Sequence, residues 1–281
     1  MLTDAQLSAV ADLVTEVAST EIMSRFRRLE AGDVRAKTSA SDLVTVADTR
    51  AEAALARGLA AILPGSTVVG EEAVAADPRI LDRLAGEAPV WVVDPIDGTS
   101  NFVDGLARFA VLIALVDGGR VVASWTHAPA MGLWATARRG HGVLLDGHSP
   151  APVDLAAPPV EVPDLRTSHL RRWPDGHHDL LARLTSHFPA MAHFSPSGLL
   201  WVDLVRGSAD AAVLPWDKPW DHAAGLLMLE EIGGVTSDRH GRPFSLTGDH
   251  ELPIVAARDP RVATRILEVA HPRRAERIPR C

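Results

Sequence analysis

Apolar positions in the first 63 residues recur at helical spacing. Leu7, Val10, Val14 and Val17 follow Thr3-x-x-Gln6, a capping-box pair that starts a helix. Ala51, Ala54, Leu55, Leu59 and Ile62 form a second stripe, which predicts a helix over 48–63 stopped by Pro64-Gly65. The pattern then changes to short apolar runs at 67–69, 90–93, 110–116, 120–125, 133–137 and 143–145. These read as strands, and Asp117-Gly118-Gly119 between two of them is a hairpin signal. Five prolines between 146 and 164, with little periodicity, mark a boundary. Beyond it helices are expected over 176–186, 198–206, 222–232 and 260–270, with strands at 211–214 and 254–257 among them. The order predicts an α+β half over 1–150 followed by an α/β half over 151–281.

Composition narrows the function classes. The 281 residues carry 28 basic and 36 acidic side chains, a formal charge of −8, and no basic stripe. A nucleic-acid partner is therefore not expected, and the basic tail at Arg273, Arg274, Arg277 and Arg280 reads as a solvated end. The opening MLTDAQLSAV lacks the basic start and apolar stretch of a signal peptide, and no apolar run is long enough for a membrane span. The single cysteine, Cys281, leaves no disulfide within the chain and no cysteine metal cage. A cytoplasmic protein is the expectation.

Acidic residues at strand ends carry the chemistry. Val90-Trp-Val-Val runs straight into Asp94-Pro-Ile-Asp97-Gly98-Thr99-Ser-Asn-Phe, so a buried strand is expected to deliver two carboxylates at its end. Gly98 would let a ligand approach the main chain, and Thr99 to Asn101 are cap residues whose free N–H groups could face an anion. Gly70-Glu71-Glu72 ends a second strand, and Asp221 opens the helix expected at 222–232. Taken singly these are an Asp-capped turn, a surface glutamate pair and a helix cap. Together they form an all-oxygen set suited to Mg²⁺, whereas no His/Cys set has zinc spacing.

The combination of Gly-Glu71-Glu72, Asp94-Pro-Ile-Asp97-Gly-Thr99-x-Asn-Phe and Trp220-Asp221-x-Ala-x-Gly225 resembles the inositol monophosphatase family. Lys37 through Asp42-Leu-Val-Thr45-x-x-Asp48 matches a further family stretch, and order and spacing agree from about Lys37 to Gly241. The resemblance implies a layered α/β/α/β/α sandwich of the sugar-phosphatase type. It also implies Mg²⁺-dependent hydrolysis of a small phosphate monoester by a metal-activated water.

By the same resemblance, two or three Mg²⁺ per site would be held by Glu71, Asp94, the Ile96 carbonyl, Asp97 and Asp221, with Asp94 bridging. Asp48 and Thr99 would orient and deprotonate the water, and Glu71 would help hold it through a third metal. Gly98 and Thr99 N–H groups would bind phosphate, while Asp97, Asp221 and Ser197, beside Ser195-Pro196, would lie at the substrate. A homodimer and lithium sensitivity are implied too.

One position departs from the pattern. Leu214 stands where inositol-preferring members carry a glutamate, so the substrate is open among inositol monophosphate and related polyol or sugar phosphates, histidinol phosphate and a nucleotide 3′-phosphate. Asp217 and Lys218 beside it read as loop charges. Trp91 and Trp220, next to proposed ligands, read as rigid walls, and His177, His178 and His222 are given no role, although His222 adjoins Asp221 and could tune it. A regulatory module that binds metal and phosphate without turnover is the non-enzymatic alternative.

Overall fold

The computed structural model describes residues 2–30, 32–37, 43–161, 163–167, 173, 178–188, 192–193, 196–248 and 250–270. The Thr3–Gln6 capping box opens α1 (Asp4–Val17), which continues into a π-helical stretch at Ala18–Met23. A short antiparallel pair, β1 (Val34–Ala36) and β2 (Leu43–Thr45), leads into α2 (Val46–Ile62). That helix starts two residues before the expected position, because Thr45 is its N-cap and Asp48 completes a second capping box.

The chain then builds a six-stranded sheet. β3 (Thr67–Gly70) and α3 (Glu71–Ala76) precede a 3₁₀ segment at Pro78–Ala85 and β4 (Val90–Asp97). The short α4 (Thr99–Val103) precedes β5 (Ala110–Asp117), β6 (Arg120–Ala128), β7 (Leu133–Arg138) and β8 (Gly142–Leu145). The strands lie in sequence order, with β3 parallel to β4 and the rest antiparallel.

Residues 146–161 contain no helix or strand. After them come β9 (Leu165–Thr167), α5 (His178–His187), β10 (Ala192–His193), α6 (Ser197–Arg206), β11 (Ala211–Leu214), α7 (Pro219–Glu231), β12 (Val235–Ser237), β13 (Ile254–Ala257) and α8 (Pro260–Ala270). Their five strands form a second sheet in the order β10-β9-β11-β13-β12.

The period-two alternation of the strands sorts these elements into layers. Trp91 and Val93 of β4 pack with Val10, Val14, Leu55 and Leu59 of α1 and α2. Val90 and Val92 face the other way, into a core with Leu200, Val202, Ala224 and Met228 of α6 and α7. That same core takes Ala212, Leu214, Ile254 and Ala256 from β11 and β13, while Ala211, Val213, Val255 and Ala257 face α5 and α8. The result is helix pair, sheet, helix pair, sheet, helix pair, the five-layer sandwich expected from the sequence. Each fully buried Leu or Val in it contributes about 1.5–3 kcal/mol.

Two expectations need correction. β4 does not stop at Val93 but runs through Pro95 to Asp97, with a register shift against β5 between Asp94 and Asp97. Pro95 is tolerated there because β3 ends opposite Val93, which leaves that side of β4 without a ladder partner in the sheet. Trp91 is not a wall of the acidic cleft. It lies on the α1/α2 side, tilted against Trp125 at 6.0 Å, and its Nε1–H donates to Ser66 at 3.0 Å.

Candidate active site

Carboxylates meet where β4 ends among helix starts. Glu71 is the first residue of α3, Thr99 of α4 and Ser197 of α6, while Asp48 and Asp221 are the third residues of α2 and α7. Unpaired N–H groups in the first turn of a helix favour negative charge, so the backbone supports this concentration of acids.

Ligand atoms of Asp94, Asp97 and Asp221 lie within 4.8 Å of one another. Asp94 Oδ1 accepts the Ile96 N–H at 3.0 Å, a bond within the irregular end of β4. Asp97 Oδ1 accepts from the Ser197 N–H at 3.1 Å and its hydroxyl at 2.8 Å, and Oδ2 accepts from the Gly198 N–H, so Asp97 caps α6 across 100 residues of chain. A Cβ on Gly198 would lie 2.4 Å from Leu112, hence glycine there.

The electrostatics are unfavourable without a cation. Burial first, then the charges of Glu71, Asp97, Asp221 and Asp48, push the Asp94 carboxyl well above its ordinary range. Burial and the Asp221 charge push Asp97 up to about 7. The Ser197 hydroxyl lies 2.8 Å from Asp97 Oδ1 and 2.9 Å from Asp221 Oδ1, yet it has one hydrogen for two acceptors. Among the described residues no Lys or Arg forms a salt bridge with Asp94 or Asp97. A divalent cation on oxygen ligands fits this donor set.

Asp48 and Thr99 face each other beside the cluster. Asp48 is fully buried, and its Oδ2 accepts the Thr45 N–H at 2.8 Å as part of the helix cap. Its Oδ1 accepts from the Thr99 hydroxyl at 3.2 Å, and the same hydroxyl lies 3.0 Å from the Ile96 carbonyl. Burial, opposed by the hydrogen bonds from Thr45, moves Asp48 up to about 6. Gly98, at φ 93°, makes the turn between β4 and α4, and a Cβ there would meet Pro196 at 2.9 Å.

Glu71 stands outside the three-carboxylate cluster. The Lys37 ammonium binds Glu71 Oε1 at 2.7 Å and Glu72 Oε1 at 2.6 Å. Burial works against that ammonium, but Glu71 and Glu72 outweigh it and raise its pKa. Burial takes Glu72 up to about 7 in spite of Lys37. Lys37 thus brings a positive charge to this end of the cleft.

Several contributors are not apparent in the motifs. Glu52 accepts the N–H groups of Glu72 and Ala73 at 2.7 and 2.8 Å and so caps α3 from α2. A Cβ on Gly70 would stand 2.3 Å from the Glu52 carboxyl carbon, which accounts for that glycine. The signal was a glutamate four residues after Asp48 in a stripe otherwise apolar. Trp201 donates to the Asp221 carbonyl at 3.1 Å, its ring lying where a Cβ on Gly225 would fall.

Of the remaining expectations, Asp217 pairs with His250 at 3.2 Å and Lys218 lies 5.7 Å over Trp220. Leu214 is fully buried in the middle core, and His222 turns to the Trp216 carbonyl. Asp42, His177 and Ser195 lie outside the described residues.

The family model described as "Inositol monophosphatase family" matches residues 4–275. An inositol-1-monophosphatase of Mycobacterium leprae is 33% identical over 285 residues, covering 93% of this chain and 92% of that protein. A histidinol-phosphatase of Chlorobaculum parvum is 29% identical and covers 73% of this chain and 76% of its own length. In fold, the chain is similar to the Thermotoga maritima IMPase structure, with a TM-score of 0.77 at 24% identity over 96% of this chain and 98% of that one. With the acidic cleft at the end of β4, these matches establish that the chain belongs to the inositol monophosphatase family, a family of phosphoric monoester hydrolases.

Proposed function

We propose that this chain hydrolyses a small polyol or sugar phosphate, with inositol monophosphate as the first compound to test, at a Mg²⁺ centre between β4 and α7. The observation that carries the reading is the convergence of Asp94, Asp97 and Asp221 within 4.8 Å, where burial and neighbouring carboxylates raise the Asp94 pKa.

In this reading Glu71, Asp94, the Ile96 carbonyl, Asp97 and Asp221 would hold two or three ions. Residues 1–150 supply all of these ligands except Asp221, which the 151–281 half contributes. Bound Mg²⁺ would supply charge neutralisation for the ester and acidify a coordinated water.

The chain's own groups do the rest. Asp48, ionised above about pH 6, accepts a proton through the Thr99 hydroxyl and so orients the attacking water. The Gly98 and Thr99 N–H groups take phosphate oxygens. Ser197, bonded to Asp97 and Asp221, aligns carboxylates at the substrate's edge.

Leu214, buried where inositol-preferring relatives place a glutamate, offers no acceptor for a ring hydroxyl. That favours a broader or different alcohol over strict inositol selectivity, and histidinol phosphate is the second compound to test. A homodimer, lithium sensitivity and a cytoplasmic location belong to the same proposal. No helix of the described residues is long and apolar enough to cross a membrane.

The test is inorganic phosphate release from a panel of phosphate monoesters with and without Mg²⁺, with Asp94→Asn as control. Metal-dependent release that falls at least about 100-fold in the variant is expected, the scale of losing a group essential to the site. Retained turnover in Asp94→Asn, or turnover indifferent to chelator, would overturn the reading.

A further inference from the structure

The loop between β11 and α7 places an indole on the Asp221 carboxylate. Trp216 Nε1 donates to Asp221 Oδ2 at 2.8 Å, while the Ser197 hydroxyl approaches Oδ1 at 2.9 Å. The two oxygens are thus held from opposite ends, which sets the plane and tilt of the carboxylate. A carboxylate oxygen can accept a hydrogen bond and ligate a cation at the same time.

Trp216 is itself fixed from behind. The fully buried His222 donates from Nε2 to the Trp216 carbonyl at 2.9 Å, and the two rings lie 5.7 Å apart. A carbonyl oxygen only accepts, so in this bond the imidazole proton sits on Nε2. Its Nδ1 is buried with no hydrogen-bond partner among the described residues, a cost that comes with anchoring this one turn. A tryptophan serving only as packing would not need its N–H on the one carboxylate that α7 brings to the cleft.

We infer that Trp216 is a positioning residue for Asp221: its indole N–H, braced by His222 through the Trp216 carbonyl, presents the Asp221 carboxylate to the cation. The inference rests on the metal centre proposed above. Partners that orient a metal ligand typically contribute about 10- to 100-fold to affinity. Phenylalanine at 216 keeps the ring and removes the donor, which separates orientation from packing.

The experiment is Mg²⁺ binding by titration calorimetry, without substrate, to the wild type, Trp216→Phe and Asp221→Asn, combined with ¹H–¹⁵N spectra of the indole groups. Trp216→Phe is expected to bind Mg²⁺ at least about tenfold more weakly. One wild-type indole signal should move with the calorimetric midpoint and be missing from Trp216→Phe. A Trp216→Phe affinity within twofold of wild type overturns the inference and leaves the metal centre standing. Wild-type protein that binds no Mg²⁺ overturns the metal centre and this inference with it. Should Trp216→Phe not fold, the wild-type spectra decide. An indole signal shifted by Mg²⁺ and displaced in Asp221→Asn supports the inference, and indole signals indifferent to both overturn it.

Discussion

The two oxygens of Asp48 have different partners: Oδ2 closes the cap of α2 with Thr45, and Oδ1 faces Thr99. Asparagine can still accept the Thr45 N–H but has no charge with which to draw a proton. Asp48→Asn is therefore expected to lower kcat by about 10²–10⁴-fold, the usual contribution of a general base. The same substitution removes a buried charge whose ionisation in the fold costs about 3 kcal/mol near neutral pH, given a pKa of about 6. Metal-free Asp48→Asn should melt no lower than wild type, while its phosphate release collapses. A variant that unfolds instead would mean that the cap, not the proton, is what the aspartate supplies.

Among the elements, α3 starts on a borrowed group. Its first-turn N–H groups bind the Glu52 carboxylate, and that carboxylate fits only because Gly70 has no side chain. Gly70→Ala forces a Cβ to within 2.3 Å of the Glu52 carboxyl carbon, so one of the two must shift. A loss of about 2 kcal/mol or more in chemical denaturation is expected from the displaced buried carboxylate, together with weaker metal binding because Glu71 starts α3.

Sequence patterning located α1, α2, α5 to α8 and most strands, since each presents one or two apolar faces to the layers beside it. It could not reach β1, β2, β9, β10 and β12. Runs of two or three residues have little period of their own and exist through their partners. The site divides the same way. Asp94, Asp97, Glu71 and Asp221 are readable because strand ends and helix starts leave signatures in the sequence. Lys37 on Glu71 and Glu52 under α3 depend on distant segments meeting in space, and Trp216 on Asp221, five residues further on, depends on the shape of the turn between β11 and α7.

Across the whole molecule, raised carboxyl pKa values tie stability to pH. Asp97 and Glu72 near 7 and Asp48 near 6 mean that the folded protein holds more protons than the unfolded chain between about pH 4 and 7. Stability of the metal-free protein must then fall as pH rises through that window. Melting curves in chelator are expected to drop from pH 5 to pH 8, and Mg²⁺ should reverse the drop, adding about 2.7 kcal/mol at a hundred times its Kd. A Tm flat with pH in chelator, or unmoved by Mg²⁺, would contradict this charge balance.

The helices α6 and α7 are enclosed by a sheet on either side, and each delivers its first turn to the cleft. Neither can swing aside without tearing hydrocarbon from both neighbours, so the catalytic end is as immobile as the interior. Adaptation to a new alcohol must then fall to the loops that border the cleft rather than to α6 and α7. Such a frame can change clientele while its reaction stays the same.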